Sequence, residues 1–563
     1  MNNPVINVKK RQPAAHGGGV RGDNSTMRSS IFEGRFGRIF RSLPPAEWKK
    51  DALAKLGAAM TSEPEADEQN KKLPAAAAET DKRIQDDEEN AGISAGYTYL
   101  GQFIDHDITF DPASSLQQSN DPDGLVDFRT PRLDLDSLYG RGPADQPYMF
   151  DGNKFRLGKA LTENGQKTNV RDLPRYTDIN NPGAPKRALI GDKRNDENVI
   201  VAQLHAAMLQ FHNKLVDQEP SAAFGDIQQQ VRWHYQWIVL NDFLMKVCGK
   251  EVVHDILPHL GKNQPIWKHP PHFAFFKYRH DAFMPVEFSV AAYRFGHSMV
   301  RPIYRLNTRL SGGANPAQAT SDEIRRGLAG RFFIFAGVQK RGLNGFDEFP
   351  DEWAIDWSLF FDIKGSGQTG GIKRAQPAYK IDTSLVNPLG FLPEFSKPTQ
   401  TPTGEMTIDD LQSKPVDPVM DPSNLAQRNL LRGMAMGLPS GQDVARAMGV
   451  EPIAEDNLRV GKAVMEDWGT NPTLVKIDPS FEDKAPLWFY VLAEALYEWR
   501  LRAKASGKGD EEPVRLGTVG GRIVAETLIG MLWADGHSYL SQAPNWQPDH
   551  IRTMGDLINF ALS

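Results

Sequence analysis

Residues 96–110, GYTYLGQFIDHDITF, hold the densest polar cluster of the chain inside an otherwise apolar, helix-like run. At 100° per residue Gln102 and His106 fall one turn apart on one face, and Asp105 and Asp107 flank the histidine. An inward face carrying an amide and an imidazole is costly unless both groups find partners. A lone histidine in such a place reads as a satisfied core residue. Four polar groups crowded into six residues point instead to a site.

Four further clusters lie outward from this one. In TPRLDLDSLYG, residues 130–140, Asp134 and Asp136 alternate with leucines beside Thr130 and Ser137. Two carboxylates two residues apart, with hydroxyls and carbonyls nearby, form a hard oxygen set of the kind calcium prefers, although a turn with solvated acids has the same pattern. GDKRNDEN, residues 191–198, opens an amphipathic helix, which sets Arg194 and Glu197 in its first turns and His205 and His212 seven apart on one face. EFSVAAYRFGHSMVR, residues 287–301, buries His297 in an apolar helix. RNLLRGMAMGLP, residues 428–439, spaces Asn429 and Arg432 by three among leucines and methionines, the latter most simply core filler.

Composition bounds what these clusters can serve. The 563 residues carry 65 Lys plus Arg against 71 Asp plus Glu, so the net charge of −6 leaves no basic face for nucleic acid. Cys248, the single cysteine, excludes an internal disulfide and a thiolate zinc site. Residues 1–21 lack the apolar core of a secretory signal and no apolar run approaches the roughly 20 residues of a membrane helix, so a protein without a membrane span is expected, cytoplasmic or exported by a leaderless route. Helical periodicity over 199–216, 231–247, 286–300, 423–436, 487–503 and 522–532 predicts a mainly α body with little β and long irregular loops. Residues 1–92 read as a partly flexible N-terminal extension, with an apolar island at 31–43 able to dock on the body, and 93–563 as one large catalytic domain. The GSGQTG stretch, 365–370, lacks the strand before and the helix after that a dinucleotide site needs, and HPPH, 269–272, reads as a surface loop.

Taken in order, the five clusters resemble the animal-type haem peroxidases, the peroxidase-cyclooxygenase superfamily. The likeness rests on G-Q-x-x-D-H-D, D-x-D-x-x-Y-G, R-x-x-E, R-x-G-H and N-x-x-R before G-L-P. It covers residues 96–439, extends more loosely to 521–532, and leaves the first ninety residues unmatched. It implies a haem peroxidase fold binding haem b, with His106 as distal base, Gln102 as its neighbour, Arg194 as catalytic arginine and His297 as proximal iron ligand. It also implies that Asn429 accepts a hydrogen bond from His297 Nδ1 and that Arg432 pairs a haem propionate. Asp105 and Glu197 fall where the family esterifies haem methyl groups. Asn198 stands where some members carry a methionine that forms a sulfonium link. Asp107, Thr130, Asp134 and Asp136, with the carbonyl of Arg132, match the family's calcium ligands.

The activity so implied is reduction of hydrogen peroxide coupled to oxidation of a halide, thiocyanate or small aromatic donor. Two alternatives stand beside it. A fatty-acid dioxygenase of the same superfamily carries a tyrosine three residues before the proximal histidine, where this chain has Arg294, with Tyr293 one residue off. A silent adhesion or binding protein on the same fold would not need Gln102, His106, Arg194, His297 and Asn429 together. The oligomeric state is not legible.

Overall fold

The structure, a computed structural model, describes residues 34–62, 88–109, 126–127, 129–163, 165–181, 183–184, 186–278, 281–307, 331–334, 343, 347–363, 375–392 and 422–563. The GSGQTG stretch, the start of the 31–43 island and most of the acidic segment before residue 90 lie outside them.

The body is mainly helical. Its principal helices are α1 (Lys50–Ala59), α2 (Gly96–Ile108), α3 (Val199–Gln218), α4 (Phe224–Ile238), α5 (Leu425–Ala435), α6 (Leu487–Ser506), α7 (Thr518–Ala534) and α8 (Met554–Leu562). Side-chain caps set several starts. Asn198 accepts from the N–H groups of Ile200 and Val201 at α3, Asn424 accepts from Gln427 at α5, and Thr553 with Asp556 forms a capping box at α8. Helix α3 is apolar almost all round because α2, α4 and α8 pack against it.

Strands are short ribbons. One of them ties the N-terminal segment to the body: β1 (Gly34–Gly37) lies between β2 (Val126–Asp127), antiparallel, and β3 (Met284–Pro285), parallel, with Phe36 opposite Met284. The buried carboxylate of Glu287 continues this seam by accepting from the N–H groups of Ile39 and Phe40, each at 3.1 Å. Arg38 reaches the carbonyls of Met436 and Gly437 at 2.8 Å, and α1 packs on α5. Residues 34–62 thus dock on the body, with Phe36 and Phe40 buried.

Two local departures from regular helix bear on the site. The run 286–300, expected as one α-helix, is a wide π-turn over Glu287–Ala291 followed by a tight 3-10 turn over Ala292–His297. The change of pitch re-aims the side chains that follow it, and such turns recur at functional positions. A second π-turn, Val239–Phe243, follows α4. Among the described residues no helix is long and apolar enough to cross a membrane.

Candidate functional site

Helix α2 supplies the first wall of a cavity of about 550 Å³, lined by Gln102, Asp105 and His106. His106 is buried and its Nδ1 lies 2.8 Å from Oδ1 of Asn195. Gln102 donates from Nε2 to Glu197 at 2.6 Å, and its Oε1 accepts from Asn198 Nδ2 at 3.2 Å. Asp105 accepts from the Thr109 hydroxyl at 3.3 Å.

The second wall is the 3-10 turn Lys193–Asp196, which precedes α3. Arg194 and Glu197, expected in the first turns of that helix, stand just before it, because Asp192 and Asn198 each cap a separate turn. Arg194 also lines the cavity. Its Nη2 donates to Asp192 at 2.8 Å, to the carbonyl of His106 at 2.9 Å and to that of Thr109 at 2.6 Å. Burial alone would raise Asp192, but the hydrogen bonds and charge of Arg194, together with Arg129, hold its carboxyl below the ordinary range. Arg194 is therefore fixed by an ionised partner that the sequence reading passed over.

The opposite wall comes from the π-turn and 3-10 turn, with Tyr293, Arg294, Gly296 and His297 on the cavity. His297 is held neutral, with its pKa pushed down to about 3, first by burial and then by the charge of Arg294. Asn429, on α5, meets it at 2.8 Å, but through the amide nitrogen: Oδ1 accepts from Arg294 Nη1 at 2.9 Å, so Nδ2 faces His297 Nδ1. The expected pairing is present with its direction reversed, because a guanidinium can only donate and claims the amide oxygen. Arg432, one turn along α5, lines the same cavity.

A buried carboxylate cluster sits behind α2. Ligand atoms of Asp107, Asp134 and Asp136 all lie within 4.8 Å of one another. Thr130 donates to Asp134 at 2.9 Å. Asp107 accepts from Leu135 N at 3.2 Å and from the Ser137 hydroxyl at 3.1 Å. Leu135 adopts φ 57°, a conformation that costs a non-glycine residue and that turns the loop toward Asp107. Burial, then the charge of Asp134, pushes Asp107 up to about 7, and burial also raises Asp134 and Asp136. Arg129 Nη1 approaches Asp136 at 3.3 Å, and the charges of Arg232 and Arg132 act on Asp134, yet burial outweighs these cations. Arg132 belongs to the same loop and turns its guanidinium to Asp535 at 3.9 Å.

These residues fit a flat, apolar group that carries two carboxylates. A Cβ built on Gly296, next to His297, would meet nothing within 4 Å, so the wall is open there to a ligand. Apolar side chains such as Phe295, Leu392 and Met436 supply the sides, and Arg294 and Arg432 supply positive charge. A neutral imidazole, apolar walls and two guanidinium groups suit a haem. Sequence reasoning missed Asp192, Asn195 and the pairing role of Arg294. Only Asp192 left a signal, as an N-cap acid two residues before Arg194.

The animal haem peroxidase family model matches residues 115–327, a span that includes Arg194 and His297 and begins after His106. The chain is 28% identical over 206 residues to a dual oxidase of Drosophila melanogaster, which covers 34% of this chain and 12% of that protein. The matched parts of the curated relatives amount to a third or less of their own length. Among solved structures, peroxidase A from Dictyostelium discoideum shares the fold with a TM-score of 0.50 at 14% identity, over 95% of this chain and 94% of that one. A fatty acid alpha-dioxygenase of Arabidopsis thaliana does so with a TM-score of 0.51 at 14% identity, over 95% and 76%. Over residues 115–327 the chain is thus similar to the animal haem peroxidase family, for which haem is the implied cofactor.

Proposed function

We propose that the chain is a haem peroxidase that reduces hydrogen peroxide and oxidises a halide, thiocyanate or small aromatic donor. One observation carries this reading: a single cavity is bounded by Gln102, His106 and Arg194 on one side and by His297, backed by Asn429, on the other. When bound, haem supplies a redox-active iron that takes two oxidising equivalents from the peroxide and passes them to the donor.

The side chains do the rest. His297 would hold the iron through one ring nitrogen, with Asn429 steadying the imidazole at Nδ1 from 2.8 Å. His106 has Nδ1 engaged by Asn195, so Nε2 takes a proton from one peroxide oxygen and returns it to the other, releasing water. Arg194, held in place by Asp192, stabilises negative charge on the departing oxygen. Arg432 would pair a propionate, and Asp105 and Glu197 would be the carboxylates that esterify haem methyl groups during peroxide turnover. Asp107, Thr130, Asp134 and Asp136, with the carbonyl of Arg132, would hold a calcium ion between the loop and α2.

An absorption spectrum of the haem-loaded chain, taken before and after addition of peroxide, tests this reading. A Soret band that shifts with peroxide and returns on addition of a donor supports it, and a chain that binds no haem overturns it. A second reading, oxygenation of a fatty acid, draws on Tyr293, which lines the same cavity and donates its hydroxyl to the carbonyl of Gly101 at 3.2 Å. Oxygen uptake on adding a long-chain fatty acid, lost in Tyr293→Phe, would favour that reading.

A further inference from the structure

Behind the cavity, Asn195 bridges two buried histidines. Its Oδ1 lies 2.8 Å from His106 Nδ1, and its Nδ2 lies 3.0 Å from His205 Nδ1. Asn195 and His205 are both fully buried, so water does not compete for these bonds. The three groups come from three elements: His106 from α2, Asn195 from the capped turn and His205 from the second turn of α3.

We propose that Asn195 and His205 are positioning residues for the distal base, which together fix His106 in the tautomer that carries its proton on Nδ1 and aims the Nε2 lone pair into the cavity. The inference rests on the peroxidase reading above. An amide presents one acceptor and one donor edge, so the group that takes one edge dictates what the other edge offers. Burial holds His205 neutral, its pKa pushed down to about 3, which leaves it able to accept from Asn195 Nδ2. That bond turns Oδ1 toward His106, where only a donating Nδ1–H satisfies it. The same oxygen serves after His106 has taken up a proton, because an imidazolium donates from both nitrogens. The reverse amide orientation would offer His106 an N–H, force its proton to Nε2, and remove the base from the cavity. His205 Nε2 is buried without a hydrogen-bond partner, and the ring of Phe103 meets this imidazole edge to face at 6.0 Å. That orphaned atom is the cost of using a histidine here, where an apolar residue would pack without it.

The first test is the tautomer itself, read from 15N spectra of histidine-labelled full chain, both as the carbon monoxide complex and without haem. A protonated Nδ1 on His106 and an unprotonated Nδ1 on His205 are expected; a proton on His106 Nε2 overturns the proposal whatever the fate of the peroxidase reading. The second test compares ligand association in wild type, Asn195→Leu and Asn195→Asp. Hydrogen cyanide and hydrogen peroxide must each give a proton to the base, whereas carbon monoxide gives none. In Asn195→Leu the first two should slow together by roughly tenfold or more while carbon monoxide is unchanged, and Asn195→Asp, which keeps an acceptor for His106, should recover most of the loss. Unchanged cyanide and peroxide rates, or an equal slowing of carbon monoxide, would overturn the assignment. A wild-type chain that binds no haem defeats the wider reading and leaves the haem-free tautomer measurement to decide this one.

Discussion

The guanidinium of Arg194 donates to the backbone carbonyl of His106, 2.9 Å from Nη2. The proposed charge stabiliser is thus tied to the helix that carries the proposed base, and Asp192 holds its other side through Nε and Nη2. A lysine carries its three donors on one nitrogen and lacks the planar fork that grips Asp192 through both Nε and Nη2 while Nη2 also reaches the carbonyls of His106 and Thr109. Arg194→Lys should slow the reaction with peroxide on the order of 10²-fold while haem stays bound. Stopped-flow rates checked against the haem content of the same sample measure this; a near wild-type rate would remove Arg194 from the mechanism.

His297 and His106 should differ in kind. His297→Ala is expected to lose stable haem, read from the Soret-to-protein absorbance ratio, because no other described histidine lines the wall it occupies. His106→Ala should keep haem and slow peroxide reduction by about 10² to 10⁴-fold, the usual worth of a general base. Retention of haem and of full rate in both variants would defeat the assignment.

The acid cluster yields a pH prediction with a definite sign. Folding raises Asp107 to about 7 and also raises Asp134 and Asp136, so the ion-free chain favours their protonated forms. The contribution of these three acids to its stability is fully present below the unfolded carboxylate range, near pH 4, and is lost as the pH rises toward about 7. Calcium needs the ionised ligands, so it should restore stability above that pH and bind more weakly below it. Thermal melts with calcium and with chelator, across pH 5 to 8, check both statements. Asp134→Ala should abolish the calcium-dependent difference.

Haem attachment is open to a chemical test. Asp105 and Glu197 both reach the cavity, and Glu197 is hydrogen-bonded to Gln102 at 2.6 Å. An unactivated haem methyl does not react with a carboxylate, so freshly loaded protein should release haem to acid-butanone, and less should extract after peroxide cycling. Asp105→Ala and Glu197→Ala should each remove one link, as read by mass spectrometry of the haem peptides. Asn198 offers no sulfur for a third bond. Complete extraction after many turnovers would reduce both carboxylates to ordinary pocket residues.

Much of the site was legible in the sequence because its parts are local. Spacing on one helix put Gln102 and His106 on a common face, and two acids two residues apart announced Asp134 and Asp136 whatever the rest of the chain did. What the sequence could not carry was any partnership between distant segments. Asn195 meets His106 across 89 positions, and Arg294 claims the oxygen of Asn429 across 135. Each depends on which atom of an amide faces which neighbour, and no periodicity encodes that. The regular helix expected over 286–300 also gave way to π and 3-10 turns, since apolar spacing at three and four does not distinguish an α pitch from a locally changed one. The sequence by itself determined the helical body and the candidate residues for the chemistry. Tertiary packing alone decided how their hydrogen-bonding edges are oriented, because burial removes water as an alternative partner and leaves each donor and acceptor only the neighbour that the fold supplies.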